Sequence, residues 1–132
     1  MTCKVRKLCI PKDTTGAFLA RVAGWNGQPI VQADIASITY TAYLIDEASG
    51  AQSVVANQQA IPAVVGSVIY DTLQVNNRWT ADAIGYNFEH MPSIKVNPLF
   101  SIRGRRYLLV YTLVPTNSSL ENIVVEFSIE VE

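Results

Sequence analysis

The sequence is poor in charged residues. Its 132 residues include 10 Lys and Arg and 11 Asp and Glu, so charged residues make up 16% of the chain, against about one quarter in an average soluble domain. A surface with so few charges is either neutral and polar or covered by another protein. The formal net charge of −1 also removes the global electrostatic case for nucleic-acid binding, which begins with a basic surface that neutralises phosphates. Composition therefore favours a component of a protein assembly and argues against a nucleic-acid partner.

Long apolar stretches are also missing. A helix that crosses a bilayer needs about 20 consecutive apolar residues, and no such run occurs. The first ten residues mix Lys4, Arg6 and Lys7 with short apolar stretches, so we expect neither a membrane anchor nor a cleavable secretion signal. On an extended strand, Cys3 and Cys9 would lie on one face but roughly 20 Å apart, which is too far for a disulfide. This spacing favours free thiols in a reducing cytoplasm.

Catalytic and metal-binding residues are equally scarce. His90 is the only histidine, no G-x-S-x-G nucleophile elbow is present, and neither cysteine lies in a recognisable catalytic context. A zinc site would need paired ligands at C-x₂₋₄-C spacing, which Cys3 and Cys9 lack. Phosphate-binding loops of the G-x-G-x-x-G type are absent too. We therefore expect no enzyme activity, no cofactor and no metal, because an enzyme would need His90 in a cleft beside a carboxylate.

What the sequence does contain is alternation of apolar and polar residues with a period of two, the pattern of a half-buried strand. It is clearest at 123–131, where every second residue from Val125 to Val131 is apolar and those between are Glu or Ser. The stretch 37–46 alternates in the same way and is predicted to be a central strand. The stretch 106–114 is apolar on both faces, which predicts a strand in the middle of a sheet or beneath an interface.

The remaining sequence predicts shorter strands at 5–10, 17–24, 53–56, 66–71 and 86–91. Turn-forming Gly, Pro, Asn and Ser residues separate them. About eight short strands with turns every dozen or so residues predict an all-β fold, an immunoglobulin-like antiparallel β-sandwich. We divide the chain into an N-terminal arm or edge strand, residues 1–16, and a β-sandwich domain, residues 17–132.

The two ends of the chain carry opposite charge. Residues 1–12 hold four basic residues and no acid, whereas residues 120–132 hold four acids and no base. Three interpretations of the basic arm are open: a disordered tail, an arm that binds nucleic acid, or an edge strand added to the sheet of a neighbouring molecule. Apolar residues between the bases favour the last of these, β-augmentation. The predicted contact residues of the arm are Lys4, Arg6, Lys7 and Leu8.

Trp25 and a short arginine cluster complete the predicted interface. Trp25 lies in a turn between Gly24 and Gly27, and a tryptophan at a loop tip is a typical binding hot spot. Arg103 and Arg105 flank a glycine just before the 106–114 strand and form the densest basic cluster together with the next residue. Because this cluster lies in a turn, solvated charges or a patch that contacts protein explain it better than nucleic-acid binding does.

Three segments carry a resemblance to a known family. The first comprises RVAG at 21–24, GQPI at 27–30 and ADIASITY at 33–40; the second is RWTADAIGYNF at 78–88; the third is the strand that contains Tyr107 together with the final alternating strand. Together they resemble the small immunoglobulin-like proteins that are encoded among the virion structural genes of tailed bacteriophages and prophages. The resemblance spans residues 17–132. It implies a noncatalytic virion part, namely a capsid decoration or cement protein, a neck or connector protein, or a tail or baseplate module.

The resemblance also implies where the protein acts and with what. A virion protein of this kind is made in the cytoplasm of the host bacterium and located in the virion. Its expected partners are capsid, neck or tail proteins and further copies of itself as a homo-oligomer, with neither a membrane nor a nucleic acid as a partner. The alternative is a carbohydrate- or host-surface-binding module, in which exposed Trp25 and Tyr86 would form a stacking platform.

Overall fold

The computed structural model describes residues 2–10, 13–95 and 97–132, the first of these ranges by its backbone alone. Its strands are β1 (Thr2–Ile10), β2 (Phe18–Ala20), β3 (Ile35–Ile45), β4 (Gln52–Val54), β5 (Ile61–Ala63), β6 (Ile69–Gln74), β7 (Tyr86–His90), β8 (Arg106–Pro115) and β9 (Ile123–Val131). A 3₁₀ turn lies at Gln32–Asp34, and a short helix, α1, at Val65–Val68. The three strands that alternate most clearly in the sequence correspond to β3, β8 and β9. Within the described ranges, no helix has the length and apolar character needed to cross a membrane.

The strands form two sheets. The larger sheet has the order β1-β9-β8-β3-β4, with β5 also paired to β3, and the smaller sheet has the order β2-β7-β6. Strand β1 runs parallel to β9, and the other pairs are antiparallel. A sandwich with β3, β8 and β9 in one sheet and β2, β7 and β6 in the other has the strand distribution of an immunoglobulin-like domain. The predicted fold class is therefore confirmed.

The core lies between the sheets and is built from the inward half of each alternating strand. In β9 every second residue from Ile123 to Val131 is buried, as the sequence pattern predicts. Phe127 lies near the centre, with its ring centroid 5.3 Å from that of Phe18 and 5.8 Å from that of Phe88, both in the smaller sheet. Aromatic rings at these separations and tilts attract each other in addition to burying apolar area. They hold the two sheets together.

A tyrosine closes the end of the sandwich at which β3 and β9 finish. The Tyr107 side chain is 2% exposed, and its hydroxyl accepts a hydrogen bond from the Ile102 backbone N–H at 3.3 Å. The ring of Phe100 packs edge-on against it, with centroids 5.5 Å apart. A tyrosine near the start of this strand, bonded to the backbone a few residues upstream, is the tyrosine corner of immunoglobulin-like sandwiches. It supports the fold assignment independently of the sheet order.

Some local predictions need correction. The strand predicted at 66–71 begins only at Ile69, because residues 65–68 form α1 and bury Val68 in the core. The β1–β9 register shifts between Val5 and Leu8, so the unbroken strand used to place both cysteines on one face is interrupted. Lys12, one of the four bases counted in the arm, lies outside the described residues.

Candidate functional site

Three loops meet at one end of the sandwich, which we call the loop end. They are residues 21–31 after β2, residues 75–85 before β7 and residues 116–122 between β8 and β9. The pairing of Ile35 with Pro115 places the start of β3 beside the end of β8, so the first and third loops leave the larger sheet side by side. Loops held by a rigid sandwich are a common location for binding sites. The loop end is therefore the first region to consider.

The first loop is a tight hairpin with Trp25 at its tip. The Gly24 N–H donates to the Gln28 carbonyl at 2.7 Å, and the Ile30 N–H donates to the Val22 carbonyl at 3.1 Å. Gly27 completes the turn with φ +79°, a conformation that glycine adopts without the steric cost that other residues incur. The turn residues that the sequence displays are thus used to hold Trp25 on a short, hydrogen-bonded hairpin.

Asn87 anchors the base of this hairpin from beneath. Its side chain is 1% exposed, and its Nδ2 donates to the Val22 carbonyl at 3.0 Å and to the Ile30 carbonyl at 3.2 Å. Its Oδ1 accepts from the Val22 N–H at 2.8 Å. A buried amide that satisfies three backbone groups fixes the two strands of the hairpin base relative to its own strand, because any displacement would leave buried polar groups without partners. Sequence reasoning missed Asn87, although a polar residue between apolar Tyr86 and Phe88 was a visible signal.

Trp25 joins the first loop to the third. Its indole Nε1 donates to the Glu121 carbonyl at 2.9 Å, and its ring is partly buried against the core. Beside it lies a depression of about 300 Å³. The residues around this depression are Trp25, Asn26, Asp34, Thr116, Asn117 and Leu120. The structure therefore places the predicted hot spot in the wall of a pocket and only partly exposes it.

The pocket combines two apolar side chains, Trp25 and Leu120, with amide donors and the Asp34 carboxylate. Leu120 is 36% exposed at its rim. The side-chain oxygens of Asn26 and Asn117 accept hydrogen bonds from neighbouring backbone N–H groups at 3.1 Å, whereas in the described part of the chain their NH₂ groups have no partner. Such a pocket suits an apolar side chain whose own backbone carbonyls can accept from the two amides.

The second loop is held by a carboxylate. Asp82 accepts hydrogen bonds from Trp79 Nε1 at 2.9 Å, from Arg21 Nη1 at 2.7 Å and from the Gly85 N–H at 3.2 Å. The bond from Trp79 and then that from Arg21 hold the pKa of the Asp82 carboxyl well below its usual range. Gly85 has φ +111°, and a Cβ there would lie 2.5 Å from the Gln74 carbonyl oxygen. Only glycine fits this position without a backbone shift.

The alternative carbohydrate-binding interpretation predicts that exposed Trp25 and Tyr86 form a stacking platform. This prediction is wrong. Tyr86 is 1% exposed, because the second loop folds over its ring. The Tyr86 centroid lies 5.6 Å from that of Trp79 and 5.9 Å from that of Tyr70, and its hydroxyl accepts from Arg78 Nη2 at 3.0 Å. No face of Tyr86 is left for a sugar ring.

The predicted arginine cluster lies at the opposite end of β8 from Trp25. Arg105 is partly buried, and its Nη2 donates to the Ile45 carbonyl at 3.0 Å, while its backbone carbonyl accepts from the Val131 N–H at 3.1 Å. Arg105 thus ties together the ends of β3, β8 and β9. Arg103 is exposed in the preceding turn. The structure separates both arginines from Trp25 by the length of the sandwich.

The arm lies along the edge of the larger sheet. The backbone of Lys4 is opposite Glu126 and that of Leu8 is opposite Ile129, while Arg6 and Lys7 lie within the register shift. The side chains of these four predicted contact residues are outside the description. As a backbone, β1 is an edge strand of the chain's own sheet, parallel to β9.

His90 has an aromatic environment. Its Nδ1 lies 2.6 Å from the Tyr111 hydroxyl, and its ring centroid lies 5.5 Å from that of Tyr40. Burial lowers the pKa of the His90 imidazole. The neighbouring carboxylate, Glu89, instead accepts a hydrogen bond from the Tyr70 hydroxyl at 2.6 Å. Of the residues that the structure describes, no group of three or more His, Cys, Asp and Glu is placed to hold a metal ion.

We compared the chain with known protein families, curated proteins and solved structures. No family model matches the chain, and no curated protein or solved structure is significantly similar to it. What the chain binds must therefore follow from its own geometry and chemistry.

Proposed function

We propose that this chain is a noncatalytic structural protein of a tailed-bacteriophage virion that docks onto capsid, neck or tail proteins through its loop end. It is made in the cytoplasm of the host bacterium and enters the particle as a homo-oligomer. The observation that supports this proposal most directly is the pocket beside Trp25, which is formed before any partner arrives. Its walls are fixed by the bond from Trp25 to Glu121 and by the Asn87 anchor beneath the hairpin.

A preformed pocket favours docking because binding then orders few additional groups. Ordering side chains and loops at an interface costs about 0.5–1.5 kcal/mol for each flexible side chain, and the loop end has already met much of this cost on folding. Apart from the Asp34 carboxylate, the residues around the depression are uncharged. They suit a protein partner, since an apolar side chain contacts Trp25 and Leu120 and amide donors pair with the carbonyls beside it. The low charge content of the whole chain, 16%, agrees with a surface that other subunits cover.

The edge strand provides the second proposed contact. In the sheet order β1 has one neighbour, β9, so its other side can accept an additional strand from a neighbouring subunit. Lys4, Arg6, Lys7 and Leu8 remain the proposed contact residues there. Arg103, exposed at the end opposite the pocket, is proposed to meet a further subunit, whereas the bond from Arg105 to Ile45 indicates a mainly structural role.

The location of the protein can be tested in the bacterium whose genome encodes it. Phage particles are induced, purified on a density gradient and analysed by mass spectrometry. We expect peptides of this chain to sediment with the major capsid and tail proteins. Particles that lack the chain, while the cell lysate contains it, would overturn the proposal.

The docking surface can be tested with a matched pair of substitutions. Leu120→Asp places a carboxylate at the pocket rim, whereas Val54→Asp introduces the same charge at a comparably exposed residue (43% against 36%) on β4, outside the loop end and away from Arg103. Each variant is supplied in trans to a strain that lacks the gene. Because an unpaired charge in a desolvated contact costs about 1.4 kcal/mol or more, Leu120→Asp should reduce incorporation about tenfold, and Val54→Asp should leave it unchanged. Equal incorporation of both variants would exclude the loop end as the docking surface.

A further inference from the structure

The pocket beside Trp25 contains one charged group, the Asp34 carboxylate. Its Oδ2 accepts from the Val31 N–H at 3.1 Å, and among the described residues no cation lies within ion-pair distance of it. A partner that covered Asp34 without supplying a cation would leave this charge unpaired and away from water, which is strongly unfavourable. The occupant of the pocket must therefore bring a cation. The arginines at the loop end cannot supply it, because they already form the ion pairs Arg21–Asp82 and Arg78–Glu89.

The turn before β8 carries a complementary cation at the opposite end of the sandwich. We call residues 101–104 the arginine turn. Arg103 is exposed there, and within the ranges that the structure describes no acid pairs with it. The two arginines that follow it are engaged by the fold, since Arg105 donates to the Ile45 carbonyl and Arg106 pairs with Glu47 at 3.3 Å. The guanidinium of Arg103 is thus available to another molecule.

The arginine turn is held in a fixed shape and presents three groups at its tip. The Gly104 N–H donates to the Val131 carbonyl at 2.8 Å, which ties the turn to the end of β9. Beside the Arg103 guanidinium lies the side chain of Ile102, 44% exposed. In the described part of the chain the Arg103 carbonyl accepts no hydrogen bond. The tip therefore offers a cation, an apolar side chain and a carbonyl acceptor.

We infer that the pocket of one copy binds the arginine turn of a second copy. This inference rests on the proposed homo-oligomer and names the surfaces through which its copies meet. The Arg103 guanidinium pairs with the Asp34 carboxylate, and its apolar stem packs on the ring of Trp25. Arginine suits this position better than lysine does, because its planar group both stacks on an aromatic ring and pairs with a carboxylate.

The other groups of the turn match the rest of the pocket. Ile102 of the second copy contacts Leu120, which is 36% exposed at the rim. The NH₂ groups of Asn26 and Asn117, whose side-chain oxygens are already used, can donate to the Arg103 carbonyl. Each group that the turn presents thus meets a group of the opposite character in the pocket.

A contact between opposite ends of the sandwich is heterologous, so it repeats from copy to copy and builds a row or a ring. Because one side of the contact is a single turn, the contact buries less than about 1,200 Å² and is weak between two free copies. Copies that are held on a particle meet at a higher effective concentration, which strengthens the contact there. In a row, the pocket of the last copy stays available for a virion protein.

The indole N–H signals in a nuclear magnetic resonance spectrum of the labelled full chain detect this contact. The chain has two tryptophans, so one reports on the pocket and the other is an internal control. We expect the Trp25 signal to shift as the concentration is raised to millimolar. The Trp79 signal should stay constant, because its indole donates to Asp82 outside the pocket. A Trp25 signal that does not depend on concentration would overturn the inference.

Two charge variants test the ion pair. Arg103→Glu and Asp34→Asn should each weaken the association about tenfold, since each leaves one charge of the pair without its partner. Asparagine keeps an oxygen that can accept from the Val31 N–H, and an unchanged Trp79 signal confirms that each variant is folded. Lys95→Glu makes the same change of charge at an exposed residue outside the turn and should associate as the wild type does. If Arg103→Glu associates as tightly as the wild type, the turn is not the occupant.

Mixing the two variants tests the direction of the contact. Labelled Arg103→Glu has an intact pocket and unlabelled Asp34→Asn has an intact turn, so the Trp25 signal of the labelled chain should shift as in the wild type. With the labels exchanged it should shift far less, because the labelled pocket lacks its carboxylate and the added turn lacks its guanidinium. Equal shifts in the two mixtures would contradict a contact between opposite ends.

This inference and the proposed function can fail separately. A chain whose Trp25 signal never shifts, but which still enters phage particles, would overturn the contact between copies and leave the virion role intact. Copies that associate through the turn, in a chain that is absent from particles, would overturn the virion role and leave the contact intact.

Discussion

The two ends of the sandwich are closed by different kinds of contact. At the loop end a buried amide, Asn87, holds the backbone of the Trp25 hairpin. At the opposite end Tyr107 bonds to the Ile102 N–H and Arg105 bonds to the Ile45 carbonyl. The loop end keeps a pocket with unused amide donors at its rim, whereas the opposite end uses its partly buried guanidinium to join strand ends.

Prominence in the sequence is therefore a poor guide to which residues form the proposed docking end. The arginine cluster stands out because the chain has few charges, yet Arg105 acts within the fold. Neither Asn87 nor Leu120 stands out in the sequence. Asn87 nevertheless supports the hairpin beside the pocket, and Leu120 lines the pocket. Substitutions at the two ends should therefore differ in their effects on stability and on docking, and three substitutions test this difference.

The largest effect is expected for Asn87→Leu. Leucine has a similar size but bonds to none of the three backbone groups that Asn87 satisfies. The Val22 N–H and the Ile30 carbonyl then become buried without that partner, whereas the Val22 carbonyl keeps its bond from the Ile30 N–H. At about 1–3 kcal/mol for each of the two groups, the free energy of unfolding should fall by about 2 kcal/mol or more. Urea unfolding measures this loss. The control is Asn77→Leu, the same change at an exposed residue, which should cost little.

Asn87→Leu should also loosen the Trp25 hairpin. Hydrogen exchange at the Ile30 N–H, which bonds to the Val22 carbonyl, should accelerate more than exchange at the opposite end. A variant that loses less than about 1 kcal/mol, or in which both ends exchange equally fast, would contradict the view that Asn87 closes the loop end.

A smaller effect is expected for Tyr107→Phe. The substitution keeps the ring against Phe100 but removes the acceptor of the Ile102 N–H. The net contribution of one such hydrogen bond is about 1 kcal/mol, so the free energy of unfolding should fall by that amount. Incorporation into particles should not change, because the pocket lies at the other end. A loss of incorporation at unchanged stability would reverse the assignment of the two ends.

The long strands could be predicted from the sequence, and the short elements could not. Strands β3, β8 and β9 have nine to eleven residues, enough for several periods of alternation. Strand β5 has three residues, including Pro62, and its pairing with β3 depends on the sheet beside it. Helix α1 has four residues, about one turn, too few to show a helical period.

The candidate site could be predicted by residue type but not by environment. Trp25 is predicted to be a hot spot because a tryptophan at a loop tip is a typical binding residue, yet its indole is bonded to the Glu121 carbonyl, 96 positions later. The structural role of Arg105 depends on Ile45, 60 positions earlier. The alternative carbohydrate-binding interpretation requires an exposed Tyr86, and the alternation of the sequence does not show that the second loop folds over its ring. Contacts of this range depend on the packing of the whole sandwich.

The smallest effect is expected for the pH dependence of stability, which should differ between the two ends. His90 lies at the end of β7 away from the loop end, and burial lowers its pKa below the ordinary value of 6.5. Below pH 6.5 the unfolded chain therefore binds a proton more readily than the folded chain does, so stability should fall as the pH is lowered from 7.5 to 5.5. The pKa of Asp82 is lowered from 3.8, so its stabilising effect at the loop end is fully present throughout this range and is lost only at lower pH. In His90→Asn an amide oxygen can replace Nδ1 beside the Tyr111 hydroxyl but does not titrate, and urea unfolding of this variant should give equal stability at both pH values. If His90→Asn keeps the pH dependence of stability seen in the wild type, another group titrates in this range. The His90 imidazole would then not be the pH-sensitive contact at this end.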